Sequence, residues 1–308
     1  MSKFQRDVFI DAIYQRALDD KKIIFISADF GAPALDKFRL NLPDQFIHAG
    51  ISEQNMIDMA AGLSLDDRKV FVYAMSPFIS LRCLEQIKCS LALMDLPVTI
   101  VSVGPGLGYA DAGPTHYANE DIACLRSIVG VDICSPSDEI STNYVANLCL
   151  DKPQLRYIRL ERNSLETLYT NASENDFEKG FMAKVNNSNT CLITYGYMTH
   201  KSIIVSNELK REGINIDTCD VISMKPYHVK FLEFLKKYKN IISLEEQTLN
   251  GGFGSSILEL INDNKIKVNF ERIGLPDRYY FENGGREYLF DNYGLSIEDI
   301  KKNLKKIL

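Results

Sequence analysis

The sequence predicts an α/β protein of two domains, each built on a mainly parallel sheet flanked by helices. A chain of 308 residues is long enough for about two domains. Short runs rich in β-branched and aromatic residues alternate with helical patterns along most of it. Because these runs are almost wholly apolar, they are typical of strands covered by helices on both faces.

The first predicted domain begins with a helix and continues with strands. The N-terminal segment MSKFQRDVFIDAIYQRALDD spaces apolar residues helically among charges, which indicates an amphipathic helix and not a signal peptide. The strand-like runs that follow are KKIIFISAD (21–29), QFIHAGIS (45–52), KVFVYAMS (69–76), PVTIVSVG (97–104) and VDICSPSD (131–138). Between the third and fourth runs, a helix is predicted by the spacing of Leu81, Leu84, Ile87, Leu91 and Met94.

A polar, turn-prone stretch, VNNSNT at residues 185–190, separates this set of elements from a second one. We predict a first domain over residues 1–170, a linker over 171–190 and a second domain over 191–308. The second domain should contain strands at CLITYGYM, INIDTCDVIS, NIISLEE and VNFERIG, with helices at THKSIIVSNELKREG, after GGFG and at the C-terminal SIEDIKKNLKKIL.

Composition excludes several classes of partner. A formal net charge of −6 leaves no basic surface for nucleic acid, and no uncharged stretch is long enough to cross a membrane. The seven cysteines form no CxxC pair, as in reduced cytoplasmic proteins, so we predict a cytoplasmic location. The four histidines are scattered, and no metal site of this chain's own is predicted.

The stretch GISEQNM, residues 50–56, places Glu53 directly after a predicted strand. One interpretation is that Ser52 caps a helix and Glu53 complements the helix dipole in the first turn. The other is a binding role, because open α/β sheets bind ligands at the carboxyl ends of their strands. The local sequence leaves both interpretations open.

The loop GPGLGYADAGPTHYANED, residues 104–121, lacks the Lys-Ser/Thr pair of a P-loop. Its glycines permit sharp turns, and Pro114 stiffens the approach to His116. His116 is then either a surface residue or a site residue. Arg162, in YIRLERNSL, is either a surface cation or a ligand for a substrate phosphate.

Taken together, GISEQNM, KVFVYAMSPF, LEQIK and GPTHYANEDIACLRSI resemble the C-terminal half of transketolases, the thiamine diphosphate enzymes that move two-carbon ketol units. The segments LITYGYMTHKSIIVSNELKREGINIDTCDVISMKP and ISLEEQTLNGGFGSSILEL resemble the C-terminal domain of the family. The resemblance implies a pyrimidine-binding domain at 1–170 and a transketolase C-terminal-like domain at 191–308.

The resemblance also implies roles for individual residues. Glu53 would hydrogen-bond the aminopyrimidine ring nitrogen N1′ of the cofactor and set its tautomer, and Phe78 would pack on that ring. His116 would face the ketose and act in catalysis. Further cofactor contacts are expected from positions that often hold aromatics, Leu81 and Leu84, and further substrate contacts from Arg162, Arg6 and Asp111.

The chain departs from the family pattern beside the expected sugar site. Gly104 stands where many transketolases carry a histidine, and Ala112 stands where they carry an aspartate, with Asp111 adjacent. The element that activates the cofactor is therefore present, whereas part of the sugar-contacting set is altered. An unusual sugar phosphate or a nucleotide-linked sugar is one expectation that follows.

The GDG motif with which the family binds Mg²⁺ and the cofactor diphosphate does not occur in this sequence. The resemblance thus implies the second subunit of a split transketolase, with a GDG-bearing partner supplying the Mg²⁺ and diphosphate contacts, as an α2β2 tetramer acting on ketose and aldose sugars. Alternatives with the same domains are the β subunit of a 2-oxo acid dehydrogenase, a deoxyxylulose-phosphate-synthase-like enzyme, and a non-catalytic regulatory subunit.

Overall fold

The computed structural model describes residues 3–28 and 32–308. The strands in these residues are β1 (Lys3–Phe4), β2 (Ile23–Ser27), β3 (Phe46–His48), β4 (Lys69–Met75), β5 (Thr99–Val103), β6 (Asp132–Cys134), β7 (Arg156–Leu160), β8 (Ser164–Leu165), β9 (Phe181–Lys184), β10 (Thr190–Thr194), β11 (Asp217–Val221), β12 (Ser223–Lys225), β13 (Asn240–Thr248) and β14 (Asn269–Leu275).

The α-helices in the same residues are α1 (Gln5–Ala17), α2 (Asp36–Asn41), α3 (Glu53–Leu65), α4 (Ser76–Ser80), α5 (Leu84–Gln86), α6 (Asp121–Arg126), α7 (Glu139–Asp151), α8 (Glu174–Phe177), α9 (Tyr197–Arg211), α10 (Val229–Leu235), α11 (Phe253–Asp263), α12 (Gly285–Asn292) and α13 (Ile297–Ile307). A π-helix, Ile87–Ala92, continues α5, and 3₁₀ turns lie at Pro33–Leu35, Pro43–Gln45 and Pro114–His116.

The predicted α/β fold is confirmed. In the described residues the first domain holds a seven-stranded sheet in the order β12-β6-β7-β5-β4-β2-β3. Its strands run parallel except for β12, which comes from the second domain and pairs antiparallel with β6. The antiparallel pair β1–β8 joins the start of the first domain to its end.

Helices cover both faces of this first sheet, as its apolar strands require. On one face, α1 and α7 bury Phe9, Ile13 and Val145 against Phe25 and Phe71. On the other face, α3 and the π-helix bury a second group of apolar side chains, and this core continues into the second domain at Ile193 and Phe253. The two domains therefore share one continuous apolar core.

The second sheet has five strands within the described residues, in the order β14-β13-β10-β11-β9, and β9 alone pairs antiparallel. Strand β9 lies in the segment 171–190 that the sequence assigns to a linker. We therefore propose that the second domain begins near residue 181, and the boundaries at 170 and 191 stay predictions.

The helix predicted between the third and fourth runs is wrong in one respect. The chain turns once between α4 and α5 and then adopts π geometry over Ile87–Ala92. Ile87 and Leu91 are buried as expected, but Leu81 and Met94 are exposed. The wider π turn changes the angular spacing of the side chains, so a stripe with 3.6-residue periodicity does not stay on one face.

Across residues 3–28 and 32–308, the helices are all too short or too polar to span a lipid bilayer.

Candidate functional site

The side chains singled out in the sequence gather at one edge of the first sheet. Glu53 follows β3, Phe78 follows β4, His116 lies in the loop after β5, and Arg162 follows β7. The carboxyl ends of parallel strands meet at the same edge, which is where open α/β sheets bind ligands. The order of the strands therefore accounts for the proximity of these four side chains.

Glu53 is the first residue of α3, and its side chain is buried at this edge. Gly50, with φ of 71°, turns the chain between β3 and the helix. Ser52 occupies the N-cap position, but its hydroxyl donates to the carbonyl oxygen of Ala49 at 2.6 Å and does not cap the helix. Ser52 therefore does not cap the helix as the first interpretation requires, although Glu53 does lie in the first helical turn.

The Glu53 carboxylate has a single close partner in the described chain. Nη1 of Arg82 donates to its Oε2 at 2.6 Å, and within residues 3–28 and 32–308 no hydrogen bond reaches Oε1. The Arg82 guanidinium also lies over the ring of Phe78, 4.4 Å from the ring centroid. Glu53 and Phe78, both predicted to hold the cofactor, are thus linked by a cation that the sequence analysis did not select.

His116 also contacts Phe78. Gly113, with φ of 83°, starts the 3₁₀ turn Pro114–His116. The imidazole and the Phe78 ring meet edge to face with centroids 5.2 Å apart, and Oγ1 of Thr115 lies 3.0 Å from Nδ1. The ring of Tyr109 is 6.3 Å from the imidazole.

Arg162 and Asp111 form a two-point ion pair beyond Tyr109. Nη1 of Arg162 donates to Oδ1, and Nη2 donates to Oδ2 at 3.2 Å. This pairing lowers the pKa of Asp111, chiefly through the hydrogen bond. The guanidinium is also stacked 4.4 Å from the centroid of the Tyr109 ring.

These contacts form a continuous set along the sheet edge. We call it the edge row, and its members are Glu53, Arg82, Phe78, His116, Tyr109, Arg162 and Asp111.

Other predicted site residues lie outside the edge row. Leu81 is exposed, and Leu84 packs against the core of the first domain. Arg6, at the start of α1, pairs with Asp7 at 2.8 Å and interacts with Tyr73 at the end of β4. The structure thus gives Arg6 a place near the sheet edge but no contact within the edge row.

The glycine-rich loop is shaped by close packing. A Cβ on Gly104 would lie 2.1 Å from the ring of Tyr109, so the glycine makes room for that ring. A Cβ on Gly106 would lie 2.7 Å from Cδ of Glu246. The backbone N–H of Leu107 donates to Oε1 of Glu246 at 2.7 Å, which attaches the loop to the second domain.

Glu246 belongs to a buried ion group that joins the two domains. Arg286 donates to Glu246 through Nε at 2.7 Å and to Glu161 through Nη1 at 2.8 Å. Burial raises the pKa of Glu246, and the Arg286 charge opposes that rise. Two buried carboxylates that share one guanidinium hold the loop and α12 in a fixed position relative to each other.

Cys83, next to Arg82, is not a nucleophile at neutral pH. Burial, reinforced by the negative charge of Glu53, raises the pKa of its thiol to about 12. Its Sγ donates weakly to the carbonyl oxygen of Phe78 at 3.4 Å. The side chain therefore serves to hold the turn between α4 and α5.

Sequence reasoning missed Arg82 and Tyr109. The signal for Arg82 was a single cation within an otherwise apolar segment, SLRCL, one turn after Phe78. The signal for Tyr109 was a large ring following a run of glycines, with space that only a glycine can leave. Neither signal identifies a site residue until the strand order is known.

Comparisons with known proteins identify the family. Residues 5–167 match the family described as transketolase, pyrimidine binding domain, and residues 181–300 match transketolase, C-terminal domain. The chain belongs to the transketolase family. The predicted resemblance, including the order of the two domains, is confirmed.

Relatives of similar length carry related names. The chain is 32% identical to a subunit of the apulose-4-phosphate transketolase of Phocaeicola vulgatus, covering 96% of this chain and 95% of the relative. It is 28% identical to the 6-deoxy-6-sulfo-D-fructose transketolase subunit SqwH of Clostridium sp. strain MSTE9, and the match covers 96% of this chain and 91% of the relative. A solved split gene transketolase, described as an inactive β4 tetramer, superimposes with a TM-score of 0.85 at 25% identity. The superposition covers 99% of this chain and 98% of the solved chain.

Membership of this family implies dependence on thiamine diphosphate, and the edge row fits its pyrimidine part. In the described residues Oε1 of Glu53 receives no hydrogen bond, and the Arg82 guanidinium that holds Oε2 also lies over the Phe78 ring. A planar ring with a basic nitrogen could pair with Oε1 and pack against Phe78. In the described residues, the His, Cys, Asp and Glu side chains form no group of three that could hold a metal ion.

Proposed function

We propose that this chain is the pyrimidine-binding subunit of a two-subunit transketolase that transfers a two-carbon ketol unit between sugars. The observation that carries this proposal is the buried Glu53 carboxylate, whose Oε2 is paired to Arg82 and whose Oε1 receives no hydrogen bond in the described residues, while Arg82 itself lies over the Phe78 ring. When bound, thiamine diphosphate supplies the carbanion chemistry of ketol transfer.

The residues of this chain would prepare that chemistry. Glu53 would share a proton with the ring nitrogen N1′ through Oε1 and so hold the pyrimidine in the reactive tautomer. Phe78 would pack on the ring and keep water from it. His116, within ring contact of Phe78, would hydrogen-bond a ketose hydroxyl near the reacting carbon and take or give its proton.

The far end of the edge row suits an anionic ketose. Arg162 has a planar guanidinium that can bind a phosphate or sulfonate with two hydrogen bonds, in place of its present partner Asp111. The names of both relatives include a sugar with a phosphate or sulfo group. We propose the same class of donor here, with Arg6 as a second anion contact and the Tyr109 ring as the wall between His116 and Arg162.

We propose further that a GDG-bearing partner supplies the diphosphate and Mg²⁺ contacts and that the enzyme is an α2β2 tetramer. Support comes from a relative of similar length that is named as one subunit of a transketolase, and from a structural relative described as a split gene product that is inactive as a β4 tetramer. We also propose a cytoplasmic location, since all seven cysteines are free thiols.

The experiment is reconstitution with the GDG-bearing protein encoded nearest to this gene, Mg²⁺ and thiamine diphosphate. Ketol transfer from a phosphorylated ketose to an aldose should require both chains. Glu53→Gln should remove most of it, whereas Glu85→Gln, at an exposed carboxylate in the same region, should not.

Pyruvate as donor distinguishes the alternatives. A deoxyxylulose-phosphate-synthase-like enzyme or the β subunit of a 2-oxo acid dehydrogenase would consume pyruvate and not the ketose. A regulatory subunit would support neither reaction. Undiminished ketol transfer by Glu53→Gln would contradict the proposed site.

A further inference from the structure

We infer that Arg82 is a positioning residue that acts through Glu53, holding Oε2 so that Oε1 is directed at the pyrimidine. This inference rests on the proposed function and deepens it, because it gives a role to Oε2, the carboxylate oxygen of Glu53 that does not face the cofactor. The sequence motifs that carry the family resemblance do not include this residue.

The geometry of the pair leaves one oxygen available. Nη1 of Arg82 donates to Oε2 at 2.6 Å, and Oε1 receives no hydrogen bond from any residue in 3–28 or 32–308. The Arg162–Asp111 pair in the same row differs, because there two nitrogens engage both oxygens. The one-point contact fixes the orientation of the Glu53 carboxylate and leaves Oε1 available to a ligand.

Arg82 is itself held in place by its neighbours. The guanidinium lies 4.4 Å from the Phe78 ring centroid, where a cation–π contact favours it. The next residue, Cys83, is fully buried, and its Sγ donates a hydrogen bond to the carbonyl oxygen of Phe78. The hydroxyl of Ser80 donates to the carbonyl oxygen of Ser76 at 2.5 Å, which secures the preceding turn.

The charge of Arg82 also has a chemical consequence. An arginine keeps its proton at any working pH, so its hydrogen bond to Oε2 is available throughout turnover. The orientation of the carboxylate is therefore held at every stage of the reaction. Arg82 would then help Glu53 to set the tautomer without touching the ring's reactive positions.

The test compares Arg82→Ala, Arg82→Gln and Arg82→Lys in the reconstituted complex, with Lys88→Ala as the control at an exposed cation of the adjoining π-helix. Calorimetric titration of thiamine diphosphate measures affinity apart from activity. Arg82→Ala and Arg82→Gln should weaken binding about 10- to 100-fold, as expected for the loss of a hydrogen bond to a charged group. Arg82→Lys should recover part of this, and Lys88→Ala should change nothing.

The double variant tests whether Arg82 acts through Glu53. Adding Arg82→Ala to Glu53→Gln should cause little further loss of affinity, because the carboxylate that Arg82 orients is gone. Fully additive losses would contradict the inference. Tighter binding by Arg82→Ala would also overturn it, since Arg82 would then compete with the cofactor for the pocket.

The inference and the proposed function fail in different ways. If Glu53→Gln abolishes cofactor binding and Arg82→Ala does not alter it, the positioning role is wrong and the proposed function stands. If neither substitution changes binding, the proposed pyrimidine site is wrong. Thermal unfolding of each variant chain establishes that it is folded, and partial recovery by Arg82→Lys excludes a general loss of structure.

Discussion

The backbone N–H of Leu107 donates a 2.7 Å hydrogen bond to Oε1 of Glu246, and this bond attaches the loop that carries His116 to the second domain. Glu246 in turn is held by Arg286, which also binds Glu161 just after β7. The position of the proposed sugar site therefore depends on a carboxylate that lies 139 residues further along the chain than Leu107.

Gly106→Ala should destabilise the protein through this junction. The new Cβ would lie 2.7 Å from Cδ of Glu246, and φ of +62° strains any L side chain. We expect a loss of about 2–4 kcal/mol in the free energy of unfolding, measured by urea denaturation. Gly213→Ala is the matched control, because its φ is +85° but nothing lies within 4 Å. It should cost only about 1–2 kcal/mol, and equal losses would contradict the close packing.

Arg286→Met should lower the free energy of unfolding, because it leaves two buried acids without a counter-charge. Without the guanidinium, Glu161 and Glu246 lose their common partner in a buried interface, and we expect the free energy of unfolding to fall by about 3–5 kcal/mol at pH 8. The loss should be smaller at pH 5, because burial raises the pKa of Glu246 and its carboxyl takes up a proton more readily once the opposing Arg286 charge is gone.

The control for this variant is Arg16→Met, which removes an exposed pair with Asp151 at 2.8 Å. It should change the free energy of unfolding by less than about 1 kcal/mol. A loss for Arg286→Met that is no larger than this, or that grows toward pH 5, would be inconsistent with a buried ion group.

The pH dependence of stability should include a contribution from Asp220. Burial raises the pKa of this acid to about 7, although it accepts hydrogen bonds from Tyr169, Ser137 and Thr199. Because the folded state keeps a proton that the unfolded state has lost above about pH 4, stability falls as pH rises from there to about 7 and is then level.

Asp220→Asn should remove the contribution of Asp220 to the pH dependence of stability. Between pH 5 and pH 7 the wild-type chain should lose about 2–3 kcal/mol more than the variant in urea denaturation. Other buried acids, including Glu245 with a pKa raised by burial to about 7, contribute to both proteins and cancel in the comparison. Parallel pH profiles for the two proteins would show that Asp220 is ionised throughout this range.

The sequence predicted those parts of the structure that depend on local pattern. The predicted runs match β2 to β6, β10, β11, β13 and β14, whereas the central strand β7 and the 13-residue helix α7 were not predicted. The positions of Glu53 and His116 at the sheet edge follow from their place after strands. The pairing of β12 with β6 was not predictable, since a three-residue strand carries little pattern and joins another domain. Arg286 was missed because its partners, Glu161 and Glu246, lie far away in sequence, and Arg82 was missed because Glu53, which it holds, follows a different strand.

Gly104 and Tyr109 should behave as a coupled pair. A Cβ at position 104 would lie 2.1 Å from the Tyr109 ring, so Gly104→Ala should cost about 2–4 kcal/mol in the free energy of unfolding. In a Tyr109→Ala background only the backbone strain at φ of +76° remains, about 1–2 kcal/mol. A double-mutant cycle by urea denaturation measures the difference, and additive losses would show that the ring moves aside freely.

Under the proposed function, Arg162→Ala should weaken binding of an anionic ketose specifically. The Arg162 side chain is about one third exposed and its guanidinium is aligned by Asp111 and the Tyr109 ring, so a phosphate would replace Asp111 without rebuilding the site. We expect KM for a phosphorylated ketose to rise about 10- to 100-fold in the reconstituted enzyme, with a much smaller change for the same ketose without phosphate.

Arg162→Lys should recover only part of this affinity, because an ammonium group cannot form two parallel hydrogen bonds. Arg278→Ala, at an exposed arginine of the second domain, serves as the control and should leave both KM values unchanged. Asp111→Asn should lower KM for the phosphorylated donor, since it weakens the competing pair. If Arg162→Ala raised KM equally for both donors, Arg162 would act on the shape of the site and not on the anion.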